Sequence, residues 1–242
     1  MKKNEVISCQ NVTKKYDAIT ALNNFSVTIN EGEAVAIVGA NGAGKTTFFN
    51  ILLGLTRASE GTCYILGVNS SDINPSVRSK VAFIADHASP VPWASSDDIA
   101  KLYSSLYPLW DQHLFVELTA SWKIDRKRRL NNLSKGQKRL AELSLVASCQ
   151  PDIIILDEPF NGLDSVMRIQ IQRLLKKLQL KRNKTIVYAT HILPEIESVA
   201  DRMIVLRSGE LIYNCSINKM SEPPEEVFVR LYNNEITSDV EL

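Results

Sequence analysis

EAVAIVGANGAGKTTFFNILLGL, residues 33–55, is the stretch that decides the fold. Its first seven residues are a nearly continuous apolar run, the mark of a strand buried on both faces in a parallel sheet. A glycine-rich turn and then a helix-forming segment, KTTFFNILLGL, follow it. The turn, GANGAGKTT (39–47), matches G-x-x-x-x-G-K-[ST] in the strand–loop–helix setting that this motif requires. Gly39, Gly42 and Gly44 let the backbone turn its N–H groups inward, so that Gly39, Ala40, Asn41, Gly42, Ala43 and Gly44 cradle phosphate oxygens together with the helix N-terminus. Lys45 neutralises charge at the β- and γ-phosphates, the Thr46 hydroxyl suits Mg²⁺, and Thr47 adds a phosphate contact. A chance glycine turn is the bland alternative, and the flanking strand and helix argue against it.

Outward from this point strands and helices alternate. Residues 5–30 read as β-structure with a polar link at 17–20, and 61–67 and 80–86 read as further strands. From 87 to 150 the pattern turns helical, with three prolines and three tryptophans between 90 and 122. PDIIILDEP (151–159) and KTIVYATH (184–191) return to buried strands, on either side of a helix over 164–180. ADRMIVLRSGELIYNCS (200–216) predicts a hairpin turning at Ser208–Gly209. The last twenty residues are polar and acidic, a short helix and a frayed end. This alternation predicts an α/β fold with a mainly parallel sheet, an antiparallel β edge and a helical insertion. Ligands gather at the carboxyl ends of the strands in such sheets.

Those ends carry chemistry. Asp157 closes an apolar strand, where a carboxylate can position Mg²⁺. Glu158 follows directly and suits a base that orients water on a γ-phosphate. His191 closes a third strand and could donate to a γ-phosphate oxygen. Asp86 and His87 end another, a weaker signal. LSKGQKRL (133–140) starts a helix: Ser134 and Gln137 fit the S-x-x-Q capping box, which predicts a helix from near Lys135 to Cys149. The free N–H groups there, with Ser134, Lys135, Lys138 and Arg139, make an anion site of greater capacity than the helix needs.

Composition sets the bounds. The 242 residues are 45% hydrophobic and 23% charged with a net charge of +1, so neither disorder nor a global basic field is indicated. Cys9, Cys63, Cys149 and Cys215 are scattered, without zinc-ligand spacing. No disulfide framework is expected, and the default is a reducing cytosol. MKKNEVISCQ is not a signal peptide, and no stretch of 18 apolar residues exists to span a bilayer.

Taken together, these motifs resemble those of the ATP-binding cassette (ABC) ATPases, over about residues 5–215. GANGAGKTT is similar to the Walker A loop, LSKGQ to the LSGGQ signature, and IIILDE to Walker B with the catalytic glutamate. NGLD (161–164) is similar to the D-loop, and His191 to the switch histidine. The resemblance implies a P-loop NTPase fold with a RecA-like core (1–86 and 151–220), an antiparallel β subdomain, a helical signature subdomain (87–150) and a tail (221–242). It implies ATP and Mg²⁺ as ligands, with catalytic Glu158, His191 and Lys45 and metal-binding Thr46, Asp157 and Asp86. Tyr16 is expected to stack on adenine. Ser134, Gly136, Gln137 and Asp164 are expected to close on ATP held by a second cassette, in a homodimer or heterodimer. Separate transmembrane permease subunits are the implied partners, at the inner face of the cell membrane, with no nucleic acid. Asp86 stands where the family usually has glutamine, and Lys135 where it usually has glycine. YPLWD (107–111) and LSKGQ are similar to cassettes of bacitracin-type exporters. A soluble mechanical ABC protein acting on ribosome or DNA is the alternative, supported only by the basic run KIDRKRR (123–129). A P-loop kinase would leave LSKGQ, Glu158 and His191 without roles.

Overall fold

The computed structural model describes residues 4–86, 91 and 93–233. Two long strands, β1 (Glu5–Tyr16) and β2 (Ile19–Asn30), pair antiparallel about a tight turn in which Asp17 has φ 49°. β3 (Ala34–Val38) runs into the glycine loop, and α1 (Lys45–Leu52) leaves it. The strand expected over 61–67 stops short: β4 (Glu60–Ile65) turns back through Leu66 and Gly67 into β5 (Val68–Asn69). Both turn residues have positive φ, 50° and 77°, as a two-residue hairpin turn requires. A short α2 (Pro75–Arg78) precedes β6 (Val81–Ile84).

The expected helical stretch comprises α3 (Ser96–Leu106), α4 (Gln112–Ser121) and α5 (Lys135–Ser148). β7 (Ile153–Asp157), α6 (Ser165–Arg182), β8 (Thr185–Thr190) and a short α7 (Ile196–Val199) follow. β9 (Arg202–Arg207) and β10 (Glu210–Ser216) form the expected hairpin, with Ser208 and Gly209 at φ 48° and 84°, and α8 (Pro224–Asn233) comes last.

The strands form two sheets, one antiparallel in the order β2-β1-β4-β5 and one in the order β10-β9-β3-β8-β7-β6. In the second, β6, β7, β8, β3 and β9 are parallel and only the edge strand β10 is antiparallel. Period-2 alternation divides each central strand between two cores. Val35 and Ile37 of β3 join Phe48, Phe49 and the antiparallel sheet on one side, while Ala34, Ala36 and Val38 join the helices on the other. β7 and β8 divide in the same way, which is why all three read as unbroken apolar runs. Each fully buried Ile, Leu or Phe contributes about 1.5–3 kcal/mol through removal from water.

Two capping boxes fix the helical segment: Ser95 with Asp98 at α3, and Ser134 with Gln137 at α5. Each cap is worth about 1 kcal/mol. The cysteine expectation is corrected. Cys9 and Cys63 are register partners across β1 and β4, and they form a disulfide. The pairing joins residues 54 apart in sequence, which spacing rules do not see. Cysteine usage therefore gives no argument for a reducing compartment.

Candidate active site

β3, β6, β7 and β8 point their carboxyl ends at one edge of the sheet, and a cavity of about 530 Å³ opens there. Its lining includes Asn41 to Thr47, Asp86, Asp157 and Glu158. The loop needs its glycines for particular reasons. Gly44 has φ 106° and lies so close to the β2 backbone that a Cβ would stand 2.5 Å from the Ala21 carbonyl oxygen. Gly42 has φ 83°, and a Cβ there would meet nothing, so it is required for its conformation. Lys45 is buried, and its Nζ donates to the carbonyls of Gly39 (2.7 Å) and Ala40 (3.2 Å).

The Thr46 hydroxyl donates to Asp157 Oδ2 at 2.8 Å. Burial pushes the Asp157 carboxyl up, and the Thr46 hydrogen bond and the Lys45 charge pull it down. A hydroxyl and a carboxylate oxygen side by side next to a phosphate loop are the hard donors that Mg²⁺ takes. Beside them Glu158 Oε1 lies 3.5 Å from Lys45 Nζ, and Glu158 Oε2 lies 2.8 Å from His191 Nδ1. Glu158 is a non-glycine residue at φ 48°, a conformation costing roughly 1–2 kcal/mol. Its N–H donates to Ala189 O (3.0 Å), and its carbonyl accepts from Asn161 N (3.2 Å).

The other expected residues lie elsewhere. Tyr16 ends β1, 44% exposed, with Lys14 Nζ 4.7 Å from its ring centroid; it does not line the cavity. Ser134, Gly136 and Gln137 sit at the tip of α5, also outside that lining. The Ser134 and Gln137 side chains are engaged with each other's backbone N–H groups at 3.2 Å. Asp164 caps α6 by accepting from Met167 N at 2.9 Å. A Cβ on Gly136 would stand 2.0 Å from Met167 Sδ, so a larger residue there would require the flexible Met167 side chain to move. His87 lies outside the described residues.

Two basic residues near the tip of α5 are engaged within their own chain. Lys135 folds over Gly162 of its own chain: its Nζ, Cε and Cδ lie 2.7–3.1 Å from where a Gly162 Cβ would be. Arg139 is buried and donates to the carbonyls of Ala85 and Asp86, both at 3.0 Å. Its guanidinium also lies 3.8 Å from Asp86 Oδ1, which accepts from Asn161 Nδ2 at 3.3 Å. A signal was present: Arg139 falls with Gly136, Leu140 and Leu143 on the buried stripe of α5, where a charge needs a partner.

Glu195, just past His191, was not singled out from the sequence. It is buried next to Arg168 at 3.3 Å, and burial pushes its carboxyl up to about 7. Because the folded state holds this proton more tightly, stability attributable to Glu195 falls as pH rises from about 4.5 to about 7. Glu195→Gln should remove that slope. The melting-temperature difference between variant and wild type should shift toward the variant between pH 5 and 8, by up to about 3 kcal/mol in stability. A pH-independent difference would refute it.

A phosphate loop, an exposed hydroxyl bonded to a buried carboxylate and a carboxylate bridging lysine and histidine, all on one sheet edge, define a P-loop nucleotide-binding cassette. The family model described as ABC transporter matches residues 22–161, and the chain belongs to that family, whose cassettes bind and hydrolyse ATP. It is 28% identical over 219 residues to the bacitracin transport ATP-binding protein BcrA of Enterococcus faecalis, covering 89% of this chain and 70% of that one. It is 32% identical over 232 residues to the sulfate/thiosulfate import ATP-binding protein CysA of Bacillus cereus, covering 92% of this chain and 65% of that one. The dimeric structure of MJ0796, a bacterial ABC transporter cassette, superposes with TM-score 0.79 at 28% identity, covering 88% of this chain and all of that one. The chain spans between 57% and 70% of the length of the first three curated relatives it matches.

Proposed function

We propose that this cassette hydrolyses ATP and drives separate transmembrane subunits as one half of a nucleotide-sandwich dimer. The observation that carries the proposal is Glu158, held between Lys45 and His191 beside the Thr46–Asp157 pair. In this reading Lys45 and the loop N–H groups other than those of Ala40 and Ala43, which donate to the Tyr232 hydroxyl and the Ala40 carbonyl, hold the triphosphate, and Tyr16 stacks on adenine. Thr46 and Asp157 would hold Mg²⁺, which would supply charge neutralisation to the triphosphate. Asp86, tied to Arg139 and Asn161, takes part through water. Glu158 accepts the proton of the attacking water, and His191 orients Glu158 and the γ-phosphate.

The tip of α5 is the reason for a dimer. Gly136, in the first turn of α5, offers a helix N–H group to an anion beside the Ser134 hydroxyl, and both lie off the chain's own cavity, so a second cassette supplies that anion. Lys135, folded onto Gly162, contributes no direct phosphate contact. Ser134→Arg should leave ATP binding by the monomer intact while abolishing ATP-dependent dimer formation and turnover; a variant that still dimerises and turns over would rule the arrangement out.

A groove of about 210 Å³ beside the helical insertion, lined by Leu53, Leu55, Phe83, Tyr103 and Tyr107 among others, is where the membrane subunits would engage. No helix among the described residues is long and apolar enough to cross a membrane. Purification from detergent-solubilised membranes should bring down a multi-span membrane protein. Recovery with ribosomes or DNA alone would overturn the transport reading. For direction we favour export, on the likeness of YPLWD and LSKGQ to bacitracin-type cassettes; relatives of similar identity serve import, and transport in inside-out vesicles decides between the two.

A further inference from the structure

We infer that Tyr232, on the C-terminal helix α8, is a positioning residue for the ATP site. The inference rests on the reading above that the glycine loop binds ATP. The peptide unit between Gly39 and Ala40 is engaged at both ends. Its carbonyl, Gly39 O, accepts from Lys45 Nζ at 2.7 Å, and its N–H, on Ala40, donates to the Tyr232 hydroxyl at 3.2 Å. The phenol hydrogen is committed elsewhere: Tyr232 donates to Leu206 O, at the end of β9, at 3.1 Å. A phenol oxygen that donates in one direction has its lone pairs left for the other, so the hydroxyl is oriented to accept from Ala40.

The surroundings hold Tyr232 in place. Its ring packs on Phe228 with centroids 4.4 Å apart, and Arg207 Nη1 donates to Leu231 O at 2.8 Å, tying α8 to β9. Leu206 O is also the atom that forbids a side chain at Gly39, where a Cβ would stand 2.5 Å from it. The β9–β10 turn reaches the same loop through Gly209 N, which donates to Ala43 O at 3.1 Å. The hydroxyl therefore bridges a rigid strand end and the first peptide of the loop. Fixing that peptide plane fixes the carbonyl on which Lys45 rests, so the lysine is held in position before the triphosphate arrives. Pre-organisation of this kind lowers the cost of binding rather than the barrier to chemistry.

Tyr232→Phe tests this, because the ring stays and only the hydroxyl goes. The ATP dissociation constant and KM should rise ~3- to 10-fold, the scale of one lost hydrogen bond, with kcat within ~2-fold. Ala40→Pro supplies the matched control, since proline has no N–H to donate. In the Ala40→Pro background, Tyr232→Phe should cause no further loss. An unchanged dissociation constant for Tyr232→Phe alone overturns the inference. So does an equal loss in both backgrounds, or a fall in kcat at unchanged KM. If Ala40→Pro does not fold, the single variant still decides. Lys45→Ala separates the two levels. If Lys45→Ala weakens ATP binding and Tyr232→Phe does not, only the Tyr232 role fails. If neither does, the phosphate-loop reading itself is wrong.

Discussion

Replacing Glu158 by glutamine should slow ATP hydrolysis at least ~100-fold, the usual scale for losing a general base, while ATP still binds. The physical case is specific to this position. The Glu158 carboxylate is buried and touches Lys45 and His191 at opposite oxygens, 3.5 Å and 2.8 Å away. Glutamine keeps the shape and can still hydrogen-bond His191, but it cannot take a proton from water. Lys45 keeps its two carbonyl partners, Gly39 and Ala40, so the phosphate cradle survives the substitution. The variant should therefore accumulate as an ATP-bound dimer, visible as a shift in size-exclusion chromatography when ATP is present. Single-turnover kinetics give the decisive reading, and an unchanged rate would remove Glu158 from the role of base.

Lys45→Ala should abolish tight nucleotide binding, raising the ATP dissociation constant on the order of 100-fold or more. Lys45 is the cation that faces two backbone carbonyls and a carboxylate inside the cradle. Without it a triphosphate would be drawn in by backbone N–H groups alone, against the uncompensated charge of Glu158. Truncating one partner of a buried charge pair costs about 2–5 kcal/mol or more, about 300-fold at the middle of that range. Isothermal titration with ATP checks it, with the melting temperature as the control for folding. Normal affinity would contradict the phosphate-loop assignment.

The features readable in advance are those whose cause is local. The 39–47 loop is a backbone conformation written in three glycines, and the apolar runs of β3, β7 and β8 report burial on both faces. The Ser134–Gln137 box spans three residues. Ser208–Gly209 announces its hairpin because both residues must adopt positive φ. Strand-end placement then put Lys45, Asp157, Glu158 and His191 on one edge without any coordinates.

A side chain's placement is not legible locally where it depends on what packs against it. Lys135 and Arg139 read alike in the sequence because charge carries no address. Only the packing of α5 on β6 sends Arg139 inward to Ala85 and Asp86, and only the approach of Gly162 draws Lys135 back over its own chain. Cys9 and Cys63 meet because β1 pairs with β4, and Tyr232 reaches Ala40 because α8 returns over the end of β9. Each of these contacts joins segments whose separation is set by sheet order and helix packing, which are properties of the whole chain. The sequence by itself therefore determined the class of fold and the polar residues of the sheet edge, since short-range backbone geometry and burial periodicity specify both. The tertiary structure alone decided which charges line the cavity at the glycine loop and which pair within the scaffold, because that depends on long-range packing no local pattern encodes.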